Sequence, residues 1–183
     1  NLLSLEEGER VQSMLHVAAP ELDGLRAGEG LGEGLPYLVL ATERGTVKRM
    51  ELAGLKNIRA SGIRALTLEE GDRLIAVLRT DGACNILLAT RDGYAICFDE
   101  NDVRLMGRTA AGVRGIRLKD GDWVVGAEIA QPDASVLSIT EHGYGKRTPA
   151  SEYIRGGEEP QHRGGSGMKN YNITDKTGPV AAV

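Results

Sequence analysis

Arginine next to glycine recurs at three loop-like places in this 183-residue chain: Asn57-Ile-Arg-Ala-Ser-Gly62, Gly107-Arg-Thr-Ala-Ala-Gly112-Val-Arg-Gly115 and Gln161-His-Arg-Gly-Gly-Ser-Gly167. A glycine, having no Cβ, leaves backbone N–H groups open to close approach by a phosphate oxygen, and a guanidinium grips such a group through two parallel hydrogen bonds. The chemistry on offer is phosphate binding. The plainer reading is that the glycines turn the chain and the arginines are solvated.

Charge leaves the first reading open once it is divided along the chain. The total is −4, from 22 basic and 26 acidic residues, and a negative sum alone argues against a polyanion partner. Residues 1–36, however, carry seven acids against Arg10 and Arg26, which leaves +1 for residues 37–183. The cations there are bunched. Residues 104–119 hold Arg104, Arg108, Arg114, Arg117 and Lys119 with no acid, and residues 44–64 hold six cations against Glu51.

Other reactive types lack a partner at a useful spacing. The Gly-Asp pairs at 71–72 and 121–122 are explained as tight turns whose Asp bonds its own backbone, without metal or catalysis. His16, His142 and His162 have no nucleophile or carboxylate at a recurring distance, so no catalytic residue and no metal site is expected. Cys84 and Cys97 lack metal-ligand spacing and are too few for a disulfide framework. A reducing, cytoplasmic setting is expected.

What positions the Arg/Gly loops is a repeat. Leu38-Val-Leu-Ala-Thr-Glu-Arg-Gly45, Ile86-Leu-Leu-Ala-Thr-Arg-Asp-Gly93 and Val136-Leu-Ser-Ile-Thr-Glu-His-Gly143 superpose, and each is followed by a second strand-like run. This is a hairpin with positive φ at its glycine. A trailing half follows each hairpin, beginning Gly62-Ile-Arg, Gly115-Ile-Arg and Gly167-Met-Lys, and Leu5-Glu-Glu-Gly8 reads as a fourth such half without a hairpin. Each unit of about 50 residues supplies four short strands, the content of one propeller blade. The expectation is all-β: a propeller-like, pinwheel-type arc of four-stranded antiparallel blades, three to four in number, forming one domain. Its divisions fall at residues 1–36, a partial blade end with an exposed loop from Pro20 to Pro36, then 37–84, 85–134 and 135–183.

Composition agrees: 41% hydrophobic and 26% charged residues can bury a core, and 25 glycines against seven aromatics favour short strands and frequent turns. No apolar run reaches the roughly 18 to 20 residues that span a bilayer.

Gln161-His-Arg-Gly-Gly-Ser-Gly167 fits Q-x-R-G-G-x-G, and here the chain resembles the C-terminal domain of the DNA gyrase A subunit, whose named box is Q-R-R-G-G-K-G. Met106-Gly-Arg-Thr-Ala-Ala-Gly-Val-Arg-Gly-Ile-Arg-Leu and His142-Gly-Tyr-Gly-Lys-Arg-Thr carry the same likeness, which spans nearly the whole chain. His162 and Ser166 stand where the box has Arg and Lys. The resemblance implies a domain that wraps double-stranded DNA through its backbone without reading bases. It implies partners, the remainder of a gyrase A dimer together with gyrase B in an A2B2 enzyme, with ATP and magnesium used by that holoenzyme and no cofactor in this segment. The candidate DNA contacts are Lys48, Arg49, Arg59, Arg64, Arg108, Arg114, Arg117, Lys146, Arg147, Arg163 and Lys169, with Gln161, Arg163, Gly164, Gly165 and Gly167 as the box-like loop. Arg73 and Arg79 are expected to be surface charges or to pair with acids. Two other readings stand beside this one: the matching domain of the topoisomerase IV A-type subunit, and a propeller-type protein-interaction scaffold.

Overall fold

The computed structural model describes residues 5, 7–27, 34, 36–57, 62–154 and 160–183. Arg59, one of the expected DNA contacts, lies outside the described residues.

Three antiparallel sheets follow one another along the chain. The first contains β1 (Tyr37–Thr42), β2 (Thr46–Glu51) and β3 (Leu74–Thr80); the second β4 (Asn85–Thr90), β5 (Tyr94–Asp99) and β7 (Val124–Ile129); the third β8 (Ser135–Thr140), β9 (Gly145–Pro149) and β11 (Val180–Ala182). The hairpin glycines Gly45, Gly93 and Gly143 all sit at φ near +80°, a conformation in which a side chain is disfavoured. The expected hairpins are therefore present.

The fourth strand of each blade comes from the next repeat. β6 (Val113–Arg114) of the second repeat pairs with β2, and β10 (Met168–Lys169) of the third pairs with β5, giving the orders β3-β1-β2-β6 and β7-β4-β5-β10. The third sheet is three-stranded, in the order β11-β8-β9. Pairing also corrects the repeat register. Gly112 and Gly167 precede the exchanged strands and share positive φ with Gly62, so the second trailing half begins at Gly112, not at Gly115.

β1 and β4 are continuous apolar runs because both faces of each sheet are covered. Val39 and Ala41 pack on Ile86, Leu88, Ile96 and Phe98 between the first and second sheets. Leu87, Ala89, Ala95 and Cys97 face Ala150 and Tyr153 of the third repeat, and Leu38, Leu40, Met50 and Leu52 form a third cluster with Val17 alongside. The inner strands β3, β7 and β11 are in contact from blade to blade, which leaves β6 and β10 outermost.

Where sequence pattern indicated an exposed loop from Pro20, a helix, α1, runs Ala19–Ala27. Glu21 in its first turn forms an ion pair with Arg79 of β3 at 3.2 Å, a tertiary anchor that composition does not encode. Residues 10–17, which align with an inner strand, are not in a strand. No helix among the described residues is long and apolar enough to cross a membrane.

Candidate nucleic-acid interface

The second and third Arg/Gly loops are straps laid over the preceding blade. Met106 N–H donates to Arg49 O, and at the equivalent place in the next blade Gln161 N–H donates to Cys97 O, both at 2.9 Å. Gly112 has to be glycine: a Cβ there would lie 2.6 Å from Val47 O. Gly167 meets the same obstacle in Ala95 O. Past the exchanged strand, Gly115 N–H reaches Gly45 O at 2.8 Å and Asn170 N–H reaches Gly93 O at 2.8 Å. Backbone geometry therefore fixes where the loop cations stand.

Two of the expected DNA contacts are buried. Lys48 and Arg49 lie under the strap, 0% and 6% exposed. The Lys48 ammonium donates to Ala65 O and Arg108 O at 2.6 Å and to Ala110 O at 3.0 Å. Burial, with the nearby Arg108 charge, holds its pKa below the ordinary lysine value. Arg49 donates to Asn101 Oδ1 at 2.7 Å, forms an ion pair with Glu100 at 3.0 Å and lies over the Tyr37 ring. Both residues join blades.

Arg163 is half-buried and also structural. Its Nε donates to Asp102 O at 2.7 Å and a terminal nitrogen to Arg114 O at 3.1 Å. The rest of the box-like loop is engaged as well: Gly164 N–H donates to Gly115 O at 2.6 Å, and Gly165 O accepts from Arg117 N–H at 2.8 Å.

The exposed cations stand on the outer edge of the blades. Arg64, Arg108, Arg114, Arg117 and Lys169 are exposed, with Arg114 on β6 and Lys169 on β10, the outermost strands. Arg64 and Arg108 line a cleft of about 600 Å³ together with Lys56, Asn57 and Gly54. Lys56 was not singled out from the sequence; its place in the cluster depends on the fold of the strap. Lys119 donates to the Tyr94 hydroxyl at 2.6 Å and lies over its ring, beside Lys169, which pairs with Tyr94 in the sheet. That hydrogen bond raises the Lys119 pKa. Lys146 and Arg147 are exposed on β9, and Lys146 donates to Asn170 O at 2.8 Å. As expected, Arg73 pairs with Glu43 and Arg79 with Glu21.

Asp81, Cys84 and Glu100 bring two carboxylate oxygens and a sulfur within 4.8 Å of one another, but the cluster does not fit a magnesium ion. Both Glu100 oxygens are engaged: one accepts from Gly82 and Cys84 N–H at 2.9 Å, the other from the Thr80 hydroxyl at 2.6 Å beside Arg49. The turn Asp72 and Asp122 bond backbone N–H groups, Arg44 and Arg73 for the first, Asp92 and Trp123 for the second.

A family model described as "DNA gyrase C-terminal domain, beta-propeller" matches residues 36–81, 85–131 and 134–183. The chain belongs to this family. The DNA gyrase A protein of Staphylococcus epidermidis is 40% identical over 185 residues, covering 100% of this chain and 19% of the relative. The corresponding protein of Haloquadratum walsbyi is 38% identical over 100% of this chain and 20% of its own length. The chain thus spans about a fifth of these curated relatives. Among solved structures, a DNA topoisomerase IV C-terminal domain superposes with TM-score 0.71 at 30% identity, covering 81% of this chain and 45% of that one. A DNA gyrase A C-terminal domain gives 0.65 at 28%, over 79% and 46%. Membership in the family accounts for the repeated hairpin and the propeller-like blades.

Proposed function

We propose that this chain is a DNA-binding and DNA-wrapping segment of gyrase A, part of a type IIA topoisomerase, acting on duplex without sequence preference. The observation that carries the reading is the set of exposed cations Arg64, Arg108, Arg114, Arg117 and Lys169, of which Arg114 and Lys169 lie on the outermost strands of successive blades. Arg64, Arg114 and Lys169 stand two residues after Gly62, Gly112 and Gly167, so an exposed cation recurs from repeat to repeat, and duplex that follows these cations bends. Phosphate contacts position DNA without reading bases, and an edge of short strands and glycine straps offers no recognition helix for the major groove.

The segment's own residues bind and orient DNA. Strand cleavage belongs to other parts of gyrase A, and ATP and magnesium to the holoenzyme with gyrase B, in the cytoplasm. Supercoiling by the whole enzyme would draw on the bend this segment imposes. A topoisomerase IV assignment is the second reading, favoured by the TM-score of 0.71 against that enzyme's domain.

The test is duplex affinity as a function of salt. Binding through phosphates predicts log K falling with log salt by about 0.9 per phosphate neutralised. Salt-insensitive binding points instead to the protein-interaction scaffold. Ligation of nicked circles on full-length gyrase A then asks whether linking number changes; bound DNA with no change in linking number sinks the wrapping claim.

A further inference from the structure

The first two blades set a pair of cations around the residue that follows the hairpin glycine. In the second blade that residue is Tyr94. Lys169 of β10 pairs with it in the sheet, and Lys119 bonds its hydroxyl at 2.6 Å with the ammonium 4.2 Å from the ring centre. In the first blade the residue is Thr46. Arg114 of β6 pairs with it, and Arg44 joins Arg114 and Thr46 in lining a cleft of about 330 Å³. All four cations are exposed, and among the described residues none of them makes an ion pair.

Turn geometry makes the two places equivalent and shows that the cation changes its source. Asp72 N–H donates to Glu69 O at 3.0 Å and Asp122 N–H to Lys119 O at 3.1 Å, so Glu69 and Lys119 hold one position. Asp72 Oδ1 accepts from Arg44 N–H at 3.0 Å and Asp122 Oδ1 from Asp92 N–H at 2.9 Å, so Arg44 and Asp92 hold another. Arg with Glu in the first blade becomes Asp with Lys in the second. A cation therefore stands beside the outermost strand in both, although no single repeat position supplies it.

Tyr94 decides what the Lys119 ammonium is free to do. Asp122 lies nearby, but its carboxylate is committed to the N–H groups of Asp92 and Trp123, and Lys119 bonds the tyrosine hydroxyl instead. A neutral ring and hydroxyl hold an ammonium without cancelling its charge, and the hydroxyl takes one of its three donors. Lys176 lies in the same way over Tyr144, the matching residue of the third hairpin, at 5.4 Å. Like charges gathered at one residue with no acid paired to them repel unless an anion lies between them, and a phosphate oxygen accepts charge-assisted hydrogen bonds from both. We propose that Lys119 with Lys169, and Arg44 with Arg114, each close on a phosphate of duplex DNA, which makes Arg44 and Lys119 DNA contacts and Tyr94 the positioning residue for Lys119.

This assignment rests on the DNA-binding reading, and the experiment separates the two. Duplex affinity of the full-length polypeptide is measured against salt for the wild type, R44Q, K119Q, Y94A, Y94F and Y94A/K119Q. R44Q and K119Q are each expected to lower the slope of log K on log salt by about 0.9. Y94A is expected to lower affinity in the wild-type background and to change nothing in the K119Q background, and Y94F, which keeps the ring, to lose less than Y94A. A tyrosine that only braced the turn would cost affinity equally in both backgrounds, and that result overturns the positioning role. A steep wild-type slope that R44Q and K119Q leave unchanged overturns the proposal while DNA binding through the other cations stands. A flat wild-type slope overturns both.

Discussion

Arg108 and Arg163 hold the same place in successive straps, yet the Arg163 side chain is bound to backbone carbonyls while the Arg108 side chain lines an open cleft. Arg163 gives its Nε to Asp102 O, whereas the Arg108 side chain runs past Gly54, whose built Cβ would lie 3.8 Å from it, into an open cleft. Substitution of Arg108 by Ala is expected to lower duplex affinity and to reduce the salt slope by about 0.9, with the urea midpoint unchanged. Substitution of Arg163 by Ala is expected to lower stability by about 1–3 kcal/mol through the carbonyls it abandons. Fluorescence anisotropy and urea melts on both variants check the division; identical behaviour of the two would contradict it.

Lys48→Met is expected to behave as a core lesion. The ammonium satisfies three carbonyls at once, and a thioether satisfies none, so a loss of about 1–3 kcal/mol is expected per carbonyl left buried and dry. Any fall in DNA affinity should disappear at temperatures where the variant is fully folded. An affinity loss that persists in the folded variant would return Lys48 to the DNA surface.

The repeat, the hairpin turns and the all-β class were legible because glycine at positive φ and a buried strand's apolar run are local signals. Gly45, Gly93 and Gly143 mark their turns without reference to anything distant. The burial of Lys48 was not legible, since its cover is the strap at 104–112, some 60 residues further on, and strand exchange between repeats leaves no local trace. Gly115-Ile-Arg imitates Gly62-Ile-Arg in letters, but pairing of Val113 and Arg114 with β2 sets the register three residues earlier. Helix α1 escaped because its anchor is an ion pair to Arg79, not an apolar stripe.

Both cysteines should be poor nucleophiles in the folded chain. Burial pushes the Cys84 and Cys97 thiols from 9.0 up to about 11, which leaves about a hundredfold less thiolate at pH 8. Alkylation at pH 8 should be slow in buffer and fast in urea for both. The sign of the linkage follows: the unfolded thiols lose protons from about pH 9, so stability should decline as pH rises from 9 towards 11. A urea midpoint that climbs over that range would contradict the raised values.

The pairing of Arg49 with Glu100 makes a further prediction, because the next junction shows what replaces it. Removal of either partner leaves an uncompensated charge at a site where Glu100 is 0% exposed, and a cost of about 3–5 kcal/mol is expected for Arg49→Cys or Glu100→Ala alone. The double variant reproduces the Cys97 and Ala150 chemistry that closes the second junction, so its cost should fall well short of the sum. Two N–H groups, of Gly82 and Cys84, still lose their acceptor in the double variant, which keeps it from full recovery. Urea unfolding of the four proteins gives the coupling energy. Additive costs would mean that the two residues hold the blades independently, and charge matching would then not be the rule by which one repeat accepts the next.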